Sequence, residues 1–129
     1  MTGEQILVIE DNALNLKLVR DVLQYAGYDV VEAHSGEEGV QLAGERTPDL
    51  VLMDLQLPGI DGAEALRQIR EREPAKAVPV IAVTAFAMKN DQERASLAGF
   101  DGYLAKPINV RAFPSQIRAF LADGVLHGP

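Results

Sequence analysis

The sequence contains no cysteine and no tryptophan. Without thiols it can build neither a disulfide framework nor a thiolate metal site, and no cysteine nucleophile exists. Histidine is almost as scarce: His34 and His127 stand far apart, lack metal-ligand spacing, and read as ordinary surface or loop residues. No apolar run approaches the roughly 18 residues of a membrane span. The opening MTGEQ has no basic-then-apolar signal pattern, so a cytoplasmic location and no membrane contact are expected. Basic residues are outnumbered, 12 Lys and Arg against 19 Asp and Glu, giving a formal net charge of −7. That balance argues against a sequence-independent grip on nucleic acid. It suits a cation or a partner with a basic face.

What remains is ordinary for a soluble globular protein: 129 residues, 47% hydrophobic and 24% charged. That is one domain's worth of chain, enough to bury one sizeable core. No internal repeat or low-complexity segment interrupts it. Short β-rich runs alternate instead with longer amphipathic stretches.

QILVIE (5–10) reads as a strand. NALNLKLVRDVLQYAG (12–27) reads as a helix, with Leu14, Leu18, Val19, Val22 and Leu23 falling on one apolar stripe and Gly27 as its stop. YDVVEA (28–33) is a second strand, and SGEEGVQLAGE (35–45) a helix opened by Ser35 and Glu38 in capping-box spacing. LVLMD (50–54) is strand three. DGAEALRQIRE (61–71) repeats the capping device with Asp61 and Glu64. PVIAVTA (79–85) is strand four, DQERASLAGF (91–100) a short helix, GYLAK (102–106) strand five, and NVRAFPSQIRAFLA (109–122) a last helix. Pro114 conflicts with a helix starting near Val110, so a late start or a distorted first turn is expected there.

Strands one, three and four are apolar nearly throughout, as parallel strands covered on both faces must be. The class is α/β, a parallel sheet of five strands with five helices on its two faces. Ligands of such sheets bind beyond the carboxyl ends of the strands. Strand one ends in Glu10-Asp11, strand three in Asp54, strand four in Thr84, and strand five in Lys106-Pro107. Each residue has a bland reading alone, as helix cap, β-former or solvated lysine. Together they bring three carboxylates, a hydroxyl and an ammonium to one rim.

Carboxylates so close repel one another unless a cation joins them. Few ligands, all oxygen, with room for water and a phosphoryl group, point to Mg²⁺. A carboxylate needs no general base to attack phosphorus, and Asp54 would form an acyl phosphate there. Lys106 and Thr84 would then stabilise the phosphoryl oxygens.

The motifs VIEDNALN, VLMDLQLPGIDG, AVTAF and GYLAKPI resemble those of the receiver domains of two-component response regulators, over nearly all of Gln5 to Leu121. The resemblance implies one domain over 1–129, with a core of about 5–121 and a tail of 123–129. It also implies the flavodoxin-like strand order 2-1-3-4-5. Asp54 would receive phosphate from the phosphohistidine of a histidine kinase or a histidine phosphotransfer protein. Asp11, Asp54 and the backbone carbonyl of Gln56 would ligate Mg²⁺, with Glu10 acting through water. Thr84 and Tyr103 would form the switch pair, and the Lys106–Pro107 peptide bond would be cis. Gln56 and Phe86 sit where the family tunes phosphoryl lifetime, and the small Ala85 would leave the acceptor open.

EDNALNLKLV and TAFAMKNDQERA are most similar to stand-alone receivers of cell-cycle and phosphorelay type, or to receivers from hybrid histidine kinases. Output would then be contact with a downstream protein, with no direct nucleic-acid binding. The expected surfaces are Asn12, Ala13, Leu14 and Asn15 for the histidine donor, and Met88, Lys89, Tyr103 and Ile108 for the target. The chain would be a monomer, with dimerisation on phosphorylation open to it.

Three rival readings fit these residues less well. A flavin carrier needs a phosphate-cradling loop after strand one, where Glu10 and Asp11 would repel the flavin phosphate. An aspartyl-phosphate phosphatase resembles a pattern with a second Asp two residues after the first, and position 56 is Gln. A phosphorylation-independent interaction module conflicts with the presence of every acceptor-site residue. The expectation is a phosphoacceptor switch that catalyses its own phosphotransfer, not a conventional enzyme.

Overall fold

The computed structural model describes residues 3–57, 59–60, 62–72, 78–84 and 98–123. Five strands, β1 (Gln5–Ile9), β2 (Asp29–Ala33), β3 (Leu50–Asp54), β4 (Val80–Thr84) and β5 (Gly102–Ala105), form one sheet. All pairings are parallel and the order is β2-β1-β3-β4-β5, the flavodoxin-like arrangement expected. The helices are α1 (Ala13–Tyr25), α2 (Gly36–Arg46), α3 (Gly62–Arg70) and α4 (Phe113–Asp123). Four helices thus lie among the described residues, against five expected. The helix predicted over 91–100 falls largely outside them, as do Asp61, Ala85, Phe86, Met88, Lys89 and His127.

The apolar runs explain the layering. Every residue of β3 and of β4 is buried. Alternation divides their side chains between two cores. Leu7, Ile9, Val51, Met53, Val80 and Ala82 meet α2 and α3, through Val40, Leu66 and Ile69 among others. Ile6, Val8, Leu50, Leu52, Ile81 and Val83 meet α1 and α4, through Leu16, Leu23, Phe113 and Ile117. Gly39 lets α2 settle on β1, for a Cβ there would collide with the Ile9 side chain.

Helix α1 differs from its sequence reading. Its buried residues are Leu16, Val19 and Leu23, Val22 is half-buried, and Leu14 and Leu18 are 79% and 40% exposed. At about 100° per residue, Leu14 lies roughly 160° around the helix from Leu16. The helix therefore carries a second apolar stripe, turned outward, which periodicity alone merged with the first. Gly27, at φ 101°, does follow the end of α1.

Ser35 caps α2 by accepting from the Glu38 amide at 3.1 Å, while Glu38 accepts from the His34 amide instead of completing a reciprocal box. Helix α4 starts late, at Phe113, after a turn in which the Asn109 side chain accepts from the Arg111 and Ala112 amides. Pro114 thus falls in the first helical turn, where an amide hydrogen would have no intrahelical partner. Among the described residues no helix is long and apolar enough to cross a membrane.

Candidate functional site

The parallel ladder continues one residue past three strand ends: Glu10 N bonds Ala33 O at 3.0 Å, Leu55 N bonds Val83 O at 3.1 Å, and Lys106 N bonds Thr84 O at 2.8 Å. These bonds fix Glu10, Asp54, Thr84 and Lys106 on one rim. Strand parity then sorts them. Glu10, Asp54 and Lys106 share the pleat of Val8, Leu52 and Leu104, toward α1 and α4. Thr84 and Tyr103 share the pleat of Ala82, toward α2 and α3, where Tyr103 packs half-buried.

Glu10, Asp54 and Thr84 are the buried polar side chains among the described residues, at 4%, 4% and 1% exposure. Buried charge needs a partner. Lys106 supplies it, with Nζ 2.9 Å from Glu10 Oε1 and 3.0 Å from Asp54 Oδ2. The other oxygens have donors too: Asn12 N reaches Glu10 Oε2 at 3.1 Å, and Gln56 N reaches Asp54 Oδ1 at 2.9 Å. Gln56 also donates from Nε2 to Thr84 Oγ1 at 2.8 Å. Asn12 caps α1 by accepting from Asn15 N, so the acidic turn and the helix start are one local structure.

Burial pushes the Glu10 carboxyl up; Lys106 and the Asn12 amide pull against that rise, while the nearby Asp54 carboxylate adds to it. Burial pulls the Lys106 ammonium down, but its hydrogen bonds to Glu10 and Asp54 outweigh this and hold it above its ordinary value. The ammonium therefore stays charged. Exposed Asp11 completes the cluster: one carboxylate oxygen each from Glu10, Asp11 and Asp54 lies within 4.8 Å of the others. Three hard oxygen donors at that spacing, one open to solvent, fit a small divalent cation.

Glu10, Asp11, Asp54, Thr84 and Lys106 thus share one rim. Lys106–Pro107 is cis. An apolar cleft opens beside Asp54, between α1 and the segment after β5, lined by Asn15, Leu18, Val19, Pro107, Ile108 and Phe113. Sequence reasoning missed the Lys106–Glu10 pair and the Gln56–Thr84 bond, which join residues distant in the chain. It also missed Glu37 on α2, which accepts from Ile60 N at 3.3 Å and so ties down the loop after β3.

Residues 6–118 match the family model of the response regulator receiver domain. The chain belongs to that family. Among receivers, it is 44% identical over 120 residues to the polar-differentiation response regulator DivK of Brucella ovis, covering 93% of this chain and 98% of that one. DivK of Brucella anthropi is 42% identical over the same shares. The crystal structure of the receiver domain of a sensor histidine kinase from Pseudomonas aeruginosa, with magnesium in its active-site cleft, is similar with a TM-score of 0.86 and 36% identity, covering 93% of this chain and 98% of that one. A response regulator structure from Chloroflexus aurantiacus gives a TM-score of 0.87 at 31% identity, over the same shares. The receiver fold and a place in two-component signalling follow from these matches.

Proposed function

We propose that this receiver is a Mg²⁺-dependent phosphoacceptor, with Asp54 taking a phosphoryl group from the phosphohistidine of a histidine kinase or histidine phosphotransfer protein. The observation that carries the reading is the Lys106 ammonium set between buried Glu10 and Asp54, with Asp11 at the rim. Asp11, Asp54 and the Gln56 carbonyl would hold the ion, with Glu10 acting through water. When bound, Mg²⁺ offsets the carboxylate charge and the charge on the transferring oxygens.

An Asp54 oxygen forms the new O–P bond as the N–P bond breaks, and the electron pair leaves with the donor imidazole. Lys106, with Nζ 3.0 Å from Asp54 Oδ2, would stabilise the phosphoryl oxygens, and Thr84 would offer them its hydroxyl. Movement of Thr84 toward the phosphoryl group, with Tyr103 turning inward on the same pleat, would change the outer surface. The apolar cleft beside Asp54, lined by Asn15, together with Asn12, Ala13 and Leu14 just before it in the chain, would seat the histidine-bearing partner. The signal would pass on through protein contact in the cytoplasm, the net charge of −7 weighing against nucleic acid.

The test is transfer from a phosphorylated histidine phosphotransfer protein, with Mg²⁺ or with EDTA. Label should move to this chain only with Mg²⁺ and be released by hydroxylamine, as an acyl phosphate is. Label resistant to hydroxylamine, or transfer indifferent to Mg²⁺, contradicts the reading.

A further inference from the structure

Thr84 and Asp54 lie on opposite pleats of neighbouring strands, and one side chain joins their surroundings. Gln56 donates its backbone N–H to Asp54 Oδ1 at 2.9 Å and its carboxamide N–H to Thr84 Oγ1 at 2.8 Å. A hydroxyl has one proton and two lone pairs. When a carboxamide N–H fills one lone pair, the hydroxyl proton must point away from that donor. The backbone bond meanwhile fixes residue 56 to the carboxylate, so the carboxamide is aimed from a set position.

Resting on the phosphoacceptor reading above, we infer that the Gln56 side chain is a positioning residue that orients the Thr84 hydroxyl as a donor toward a phosphoryl group on Asp54. The carboxamide need not touch that group. It acts through the one proton that Thr84 has to give. Polarisation along the two bonds in series strengthens the second. The role asks for a side chain that donates from this reach: methionine has the size but no donor, and asparagine is one methylene shorter.

The experiment titrates beryllofluoride, an acyl-phosphate mimic, into the Mg²⁺-loaded full chain and follows backbone amide NMR signals of Thr84 and Tyr103. It compares the parent, Gln56→Met, Thr84→Val and the double variant. Gln56→Met should raise the half-saturating concentration about three-fold, the scale of one partly solvated neutral hydrogen bond. In the Thr84→Val background the same change should have no effect. An equal loss in both backgrounds would overturn the inference, since Gln56 would then act without Thr84. Tighter binding by Gln56→Met would also overturn it, because the carboxamide would then restrain Thr84.

Absence of any beryllofluoride response in the parent would count against the phosphoacceptor reading itself. The orienting bond is tested separately, in the chain without Mg²⁺ or beryllofluoride. There the Gln56 side-chain amide signal should shift, and its hydrogen exchange should quicken, on Thr84→Val. An unchanged signal overturns the inference whatever the titration shows.

Discussion

The Lys106 ammonium reaches across 52 positions of the chain to stand 3.0 Å from Asp54 Oδ2. The same nitrogen holds Glu10, and both carboxylates are buried. Lys106→Met would leave two buried carboxylates without their cation, which costs about 3 kcal/mol. Mg²⁺ would take over part of that compensation. Urea unfolding should therefore show Lys106→Met destabilised in EDTA, with a larger gain on adding Mg²⁺ than the parent shows. Equal gains in both would mean that the ion binds elsewhere.

The opposite sign of charge effect appears on the surface of α3. Glu64, hydrogen-bonded first to Arg67 and then to Gln68, is held down to about 2 from an ordinary 4.5. A carboxyl depressed in the fold contributes stability above its unfolded value, lost as pH falls through the folded one. The contribution is thus present above about pH 4.5 and lost progressively toward about pH 2. Carbon-detected NMR should find the Glu64 midpoint near 2 in the parent and back toward 4.5 in Arg67→Met. The group is solvent-exposed, so the effect should shrink at high salt.

Beneath the acidic turn, Gly39 and Ile9 set how closely α2 approaches β1. Gly39→Ala should destabilise the fold by about 1–3 kcal/mol through overpacking. Trimming the contact with Ile9→Val should recover part of that loss, so the double variant should be less destabilised than the two single costs added. Denaturant midpoints of the four proteins decide it.

Leu18 lines the cleft beside Asp54 and is 40% exposed, and Leu14, one turn before it on α1, is 79% exposed. Leu14→Asp should slow transfer from a phosphohistidine protein about ten-fold, the scale of losing one apolar anchor. Labelling by acetyl phosphate, which needs no docking, should stay as in the parent. Equal slowing of both would place Leu14 in the fold and not in the interface.

The rim was legible in the sequence because a parallel sheet turns four strand ends into one site. Glu10-Asp11, Asp54, Thr84 and Lys106 each close an apolar run, and topology then brings them together. The misreading of α1 has an equally physical cause. Leu14 and Leu18 keep helical spacing with Val22, so spacing alone cannot say which apolar stripe faces the sheet; packing against β1, β2 and α4 decides for Leu16, Val19 and Leu23. Pro114 was half legible, as a conflict whose resolution required the turn held by Asn109. The Gln56–Thr84 bond was not legible. It depends on where a loop side chain folds back, and no periodicity encodes that.

The most direct measurement is intact mass after incubation with acetyl phosphate, with and without Mg²⁺, for the parent and Asp54→Asn. The parent should gain one phosphoryl group only when Mg²⁺ is present, and Asp54→Asn should gain none. An adduct that survives Asp54→Asn, or forms equally without Mg²⁺, would contradict Asp54 as the acceptor.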